Sequence, residues 1–139
     1  MKKPSWAFWT VGILALLWNG FGGYDYYMTQ SNNEAYLADY DQEMIAWMQA
    51  FPGWRTALWA LGVWSAVLAS VLMLLRKAWA APLFVVGPVA IVIGLIQDVS
   101  AGGLGYYGAT GLAMSGVICL VAVFLAWYAH RQKRLGVLK

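Results

Sequence analysis

Residues 18–27, Trp-Asn-Gly-Phe-Gly-Gly-Tyr-Asp-Tyr-Tyr, end a long apolar run that begins near Trp6. Within this stretch Asn19 lies at a depth where we expect hydrocarbon, and Asp25 lies where we expect the hydrocarbon to end. The glycines allow another backbone to approach closely, and the tyrosines are typical of a membrane–water interface. The stretch therefore predicts the outer end of a membrane-spanning helix.

Composition places the chain among membrane proteins. Of its 139 residues, 62% are hydrophobic and 11% are charged, whereas soluble domains carry about 25% charged residues. The 9 tryptophans and 8 tyrosines are also typical of membrane interfaces, where an apolar ring with a polar edge is stable. The length suits one domain, so we expect a single membrane domain over residues 1–139.

The apolar runs predict an all-α membrane protein, a four-transmembrane-helix bundle. In the last span Gly111 and Ser115, with Gly116 beside them, offer a small-residue face for close helix contact. Met1-Lys2-Lys3 resembles the start of a signal peptide, but the run is long and lacks a small-x-small cleavage site, so we expect an uncleaved first span. The four spans are expected at about 5–27, 54–75, 81–99 and 109–130.

The segment between the first two spans predicts an amphipathic helix over about residues 32–51. It is too short and too acidic to cross the bilayer, and Pro52-Gly53 ends it. We expect it to lie on the outer, periplasmic side, across the mouth of the bundle or along the interface. Its apolar positions recur at helical spacing: Leu37, Tyr40, Met44, Trp47, Met48 and Phe51.

The charges predict the orientation of the spans. Under this topology all six acids fall on or near the outer side, and eight of the nine basic residues fall on the other side. Both termini are therefore expected in the cytoplasm. Orientation and attraction to anionic lipid headgroups explain the net charge of +3, so no nucleic-acid partner is expected. The eight are Lys2, Lys3, Arg76, Lys77, Arg131, Lys133, Arg134 and Lys139.

One polar cluster is a candidate site at the outer ends of the first three spans. It comprises Asn19, Asp25, Arg55, Gln97 and Asp98. A carboxylate at low dielectric is costly unless it is paired, so Arg55 between the two aspartates would form a structural clamp. The alternative is a pocket for a small polyol or a cationic solute. Its possible aromatic walls are Tyr24, Tyr36, Trp54 and Tyr106.

Residues for catalysis and metal binding are sparse. Cys119 and His130 are the single cysteine and the single histidine, too few for a disulfide, a cysteine metal site or a haem held within one chain. There is no acidic residue at mid-span and no nucleophile–base set or phosphate loop. We therefore expect no catalytic residue, no metal site, no cofactor and no enzymatic activity.

The run from Leu16 to about Ala81 resembles a family of small bacterial four-span inner-membrane proteins of unknown function, whose members are sometimes labelled sugar transporters. That resemblance implies a bacterial inner-membrane location and four spans. The matching pieces are residues 16–26 (Leu-Leu-Trp-Asn-Gly-Phe-Gly-Gly-Tyr-Asp-Tyr), 28–30 (Met-Thr-Gln), 34–37 (Glu-Ala-Tyr-Leu), 51–54 (Phe-Pro-Gly-Trp), 59–64 (Trp-Ala-Leu-Gly-Val-Trp) and 74–80 (Leu-Leu-Arg-Lys-Ala-Trp-Ala).

Two functions remain open on these grounds. The first is a non-enzymatic integral membrane protein that acts through homo-oligomerisation or as an accessory subunit of a larger membrane complex. The second is a small-solute, sugar-like carrier or binding protein that uses the outer polar and aromatic cluster. In both cases the lipid bilayer is an expected partner.

Overall fold

The computed structural model describes residues 2–139, and the secondary structure it shows there is helical. The all-α class predicted from the sequence is therefore confirmed. Six helices follow one another along the described residues: α1 (Trp6–Gln30), α2 (Glu34–Leu37), α3 (Gln42–Gln49), α4 (Gly53–Leu74), α5 (Ala80–Ser100) and α6 (Leu104–Arg134).

Three of these helices, α4, α5 and α6, are long and apolar enough to cross a membrane. The membrane class is thus supported by the structure as well as by composition. Helix α1 has 25 residues but is less apolar, because Asn19 and the glycines and tryptophans near it lower the mean hydropathy. The first of the four predicted spans, about 5–27, therefore stays a prediction.

The long helices pack in chain order: α1 on α4, α4 on α5, and α5 on α6. Helices α1 and α6 share little contact along their lengths. They meet in one buried cluster, where Phe8 joins Leu125 and Ala129. The arrangement is thus open along α1 and α6, and the predicted four-transmembrane-helix bundle is not confirmed.

Small residues bring α4 and α5 close together. A Cβ atom built on Gly62 would lie 3.1 Å from the Cβ of Ala90, which is closer than most side chains tolerate. Across the other face of α4, the amide of Asn19 donates a hydrogen bond to the hydroxyl of Ser70 at 3.0 Å. Ser70 is fully buried, so the polar residue predicted at membrane depth is satisfied by a neighbouring helix.

Two short helices occupy the segment where one continuous helix was predicted over about residues 32–51. Asn33 caps α2 and Asp41 caps α3, each accepting a hydrogen bond from a backbone N–H of the turn that follows it. Between them the amide of Gln42 donates to the carbonyl of Leu37 at 3.0 Å and ends α2. Local side-chain to backbone hydrogen bonds therefore break the predicted helix.

Candidate functional site: two polar networks at the outer ends of the helices

Arg55 and Asp98 form an ion pair that joins α4 to α5. The guanidinium donates twice, from Nε to Oδ1 at 2.9 Å and from Nη2 to Oδ2 at 2.8 Å. The side chain of Asp98 is 1% exposed and that of Arg55 is 13% exposed. Two parallel hydrogen bonds to a shielded carboxylate are the strongest geometry available to this pair of residues.

Three further groups complete the surroundings of this ion pair. The hydroxyl of Tyr107 donates a short hydrogen bond to Oδ2 of Asp98. The guanidinium carbon of Arg55 lies 4.8 Å from the ring centre of Phe51, a cation–π contact. Gly94 leaves space for the guanidinium, because a Cβ there would lie 2.9 Å from Cζ of Arg55. The carboxylate is thus neutralised and accepts three hydrogen bonds.

Trp47 of α3 packs against the residues that surround this ion pair. Its ring stacks on Tyr106 with 5.2 Å between the ring centres and 8° between the planes, and meets Tyr107 edge-on at 5.8 Å. The ring lies directly against the backbone of Gly103, where a Cβ would be 2.6 Å from Cη2 of Trp47. Only glycine therefore allows the segment between α1 and α4, residues 31–52 and here called the outer segment, to dock on the α5–α6 turn.

Asp25 belongs to a second, separate network on α1. Its Oδ1 accepts a short hydrogen bond from the hydroxyl of Tyr36 and one of 3.2 Å from the hydroxyl of Tyr40. Tyr24 meets Tyr36 edge-on at 5.5 Å. Within residues 2–139 the only ion pair joins Arg55 to Asp98. The structure therefore does not place Arg55 between the two aspartates, as the clamp hypothesis required.

The position of Tyr36 raises the pKa of its hydroxyl well above the usual value for tyrosine. Loss of hydration disfavours the phenolate, and the hydrogen bond to the carboxylate of Asp25 acts in the same direction. The hydroxyl therefore remains a donor over the whole physiological pH range. It holds α2 against the end of α1.

The remaining predicted residues lie apart from these two networks. Asn19 bonds to Ser70, deeper along α1. Gln97 is partly buried. Trp54 is 52% exposed. Of the four predicted aromatic walls, Tyr24 and Tyr36 come together beside Asp25, and Tyr106 instead stacks on Trp47.

Three residues of these networks, and Ser70 as the partner of Asn19, were not among the predicted site residues; the three are Tyr40, Trp47 and Tyr107. Two of them carried a signal in the sequence. Trp47 interrupts an acidic outer segment, and Tyr107 follows Asp98 after a turn too short to let the two separate widely. Ser70 carried none, because a serine inside an apolar run has no distinguishing neighbour.

Two open grooves lie elsewhere on the surface. One, of about 400 Å³, lies between α2 and α3 and includes Glu34, Gln42 and Gln49 in its lining. The other, of about 260 Å³, is an apolar groove between α4 and α5. Neither groove is lined by a residue of the predicted polar cluster. In the part of the chain that the structure describes, no group of three or more histidine, cysteine or acidic residues could hold a metal ion.

No protein family, curated protein or solved structure matches this chain. The resemblance described for residues 16–81 therefore remains a prediction. In the Arg55–Asp98–Tyr107 network both carboxylate oxygens of Asp98 accept hydrogen bonds from the other two residues, and the network fastens three helices together. The Asp25 network lies nearer the surface and lacks a cationic partner within residues 2–139.

Proposed function

We propose that this chain is a non-enzymatic integral protein of the bacterial inner membrane, with both termini cytoplasmic, and that it acts by assembling with other membrane helices. The partners are further copies of the chain or the subunits of a larger complex. One observation carries the proposal: over residues 109–124, α6 packs on one side only, and its opposite side is uncovered.

The uncovered side of α6 carries small residues among larger exposed apolar ones, and it differs from the side that packs on α5. Gly111, Ser115 and Cys119, spaced one turn apart, are partly buried on the side where α6 packs on α5. Ala109 and Ala113 lie on the opposite side at helical spacing and are exposed. Gly116, which the sequence had grouped with Ser115, belongs to that opposite side. Small residues there let a second backbone approach closely, which is how helices associate in lipid.

The polar residues support assembly over catalysis or transport by one chain. Arg55 and Asp98 bind each other, Asn19 binds Ser70, and Asp25 accepts hydrogen bonds from two tyrosines, so four of the five predicted cluster residues are engaged within the chain. A carrier site built on these residues would first have to break contacts that are costly to lose at low dielectric.

Photo-crosslinking in membranes tests the proposal. A photoreactive amino acid is placed at Ala113, and the matched control carries it at Val92, an exposed position on α5. We expect a strong adduct from position 113 and a weak one from position 92. An adduct with the mass of two chains indicates a homo-oligomer, and one with another polypeptide indicates an accessory subunit. Equal, weak adducts from both positions, together with a monomer in native mass spectrometry, would refute the proposal.

The second candidate function is the binding or carriage of a small sugar-like or cationic solute at Asp25. The observation that favours it is a partly buried carboxylate without a cationic partner within residues 2–139, beside Tyr24, Tyr36 and Tyr40. Carboxylates and aromatic rings together suit cations and polyols. Asp25→Asn should abolish binding or uptake while leaving assembly intact; a variant that only lowers thermal stability would contradict this second function.

A further inference from the structure

The end of the molecule opposite the two polar networks brings three basic segments of the chain together. Arg76, in the turn after α4, donates from Nε to the carbonyl of Val137 at 3.1 Å and from Nη2 to the carbonyl of Lys2 at 3.2 Å. The backbone N–H of Lys139 donates to the carbonyl of Arg76 at 2.9 Å. The N-terminal segment, the α4–α5 turn and the tail therefore form one surface, which we call the basic end.

The positive charge of the basic end has no counter-charge within residues 2–139. Eight of the chain's nine Lys and Arg residues belong to its three segments and to the last turn of α6. Among the described residues the only ion pair is the distant Arg55–Asp98 pair, and the other acids, Asp25, Glu34, Asp39, Asp41 and Glu43, are on α1 or in the outer segment. The guanidinium of Arg76 donates its hydrogen bonds to backbone carbonyls and not to a carboxylate. Like charges held this close attract anions from the surroundings.

Exposed tryptophans belong to the same end of the molecule. Trp6 is 80% exposed, Trp79 is 73% exposed and Trp127 is 51% exposed. The guanidinium carbon of Arg131 lies 5.7 Å from the ring centre of Trp127. Indole rings prefer the headgroup level of a bilayer, where lysine and arginine side chains reach the phosphates.

We propose that the basic end binds the headgroups of anionic phospholipids in preference to zwitterionic ones. The tryptophans set its depth, and the unpaired cations at the ends of α4 and α6 supply the selectivity. Each lysine or arginine near an anionic surface strengthens binding about fivefold. Lipid binding at the basic end is independent of what α6 assembles with, because none of the basic residues lies on the uncovered small-residue side.

Native mass spectrometry of lipid adducts tests this proposal. The protein in mild detergent is mixed with equal amounts of phosphatidylglycerol and phosphatidylcholine. We expect phosphatidylglycerol to be enriched roughly tenfold or more in the adducts of the wild-type chain. The variant Arg131→Gln/Lys133→Gln/Arg134→Gln should lose most of that enrichment. All three side chains are exposed, and an unchanged circular dichroism melting curve would show that the variant still folds.

A charge-compensated control separates a local surface from net charge alone. Adding Glu34→Gln, Asp39→Asn and Glu43→Gln to the triple variant restores the wild-type net charge of +3 at the opposite end of the molecule. We expect the preference for phosphatidylglycerol to stay lost. Its return would overturn the proposal, as would equal adducts of the two lipids with the wild-type chain. Competition by an equal concentration of inorganic phosphate would also overturn it, because a small-anion site would then explain the binding.

Discussion

Replacing Asp98 by alanine would remove the acceptor of both hydrogen bonds that the Arg55 guanidinium makes to a side chain. It would also remove the acceptor of the Tyr107 hydroxyl. Breaking a buried ion pair from one side costs about 3–5 kcal/mol, because a charge is left without compensation. Arg55 is 13% exposed and retains some access to water, so we expect a loss near the lower end of that range, about 3 kcal/mol.

The free energy of unfolding is measured by titrating the detergent-solubilised protein with sodium dodecyl sulfate and following helicity by circular dichroism. Asp25→Ala is the matched control, because it removes the same group from a more accessible site with two neutral donors. We expect that variant to lose about 1 kcal/mol. A second variant, Arg55→Met/Asp98→Leu/Tyr107→Phe, replaces the whole network by apolar groups and should recover most of the stability lost in Asp98→Ala.

Two results would refute this reasoning. If Asp98→Ala were no less stable than Asp25→Ala, the carboxylate of Asp98 would not be compensating a buried charge. If the apolar triple variant were as unstable as Asp98→Ala, the loss would come from packing rather than from an uncompensated guanidinium.

Two further predictions concern the attachment of the outer segment. Gly103→Ala would place a Cβ against the ring of Trp47 and should release α3, which we expect to shift tryptophan fluorescence to the red and to lower the free energy of unfolding by about 1–3 kcal/mol. Gly105→Ala is the control, because a Cβ there would have nothing within 4 Å, and it should change neither quantity. Equal fluorescence shifts in the two variants would contradict the docking of Trp47 on Gly103. Burial and the hydrogen bond to Asp25 raise the pKa of the Tyr36 hydroxyl. The hydroxyl of the unfolded chain therefore deprotonates first as the pH rises. The contribution of Tyr36 to the free energy of unfolding is thus present below about pH 10 and falls above that value. Tyr36→Phe should therefore make the loss of stability with rising pH less steep, by at most about 1.4 kcal/mol per pH unit; an unchanged slope would show that this hydroxyl titrates normally.

The helical class and three of the four predicted spans followed from the sequence because hydropathy is a local property. A run such as residues 54–75 must bury or shield its backbone polar groups in lipid, and a helix does so with its own hydrogen bonds. The outer segment was less predictable. Its apolar spacing indicated one helix, but the capping side chains of Asn33 and Asp41 favoured two, and periodicity alone does not weigh those alternatives.

The sequence by itself determined what must be paired, and the tertiary structure decided with what. Charges at the edge of a low-dielectric region require partners, so the sequence alone indicates that Asp25, Arg55 and Asp98 are paired. Which acid meets Arg55 depends on the rotation and depth of three packed helices, and those depend on contacts such as Gly94 against the guanidinium and Gly103 against Trp47. The sequence does not show whether the space beside a glycine is occupied by an aromatic ring, by a charged group or by nothing. Packing alone distinguishes these cases, because it is a property of residues that are distant along the chain.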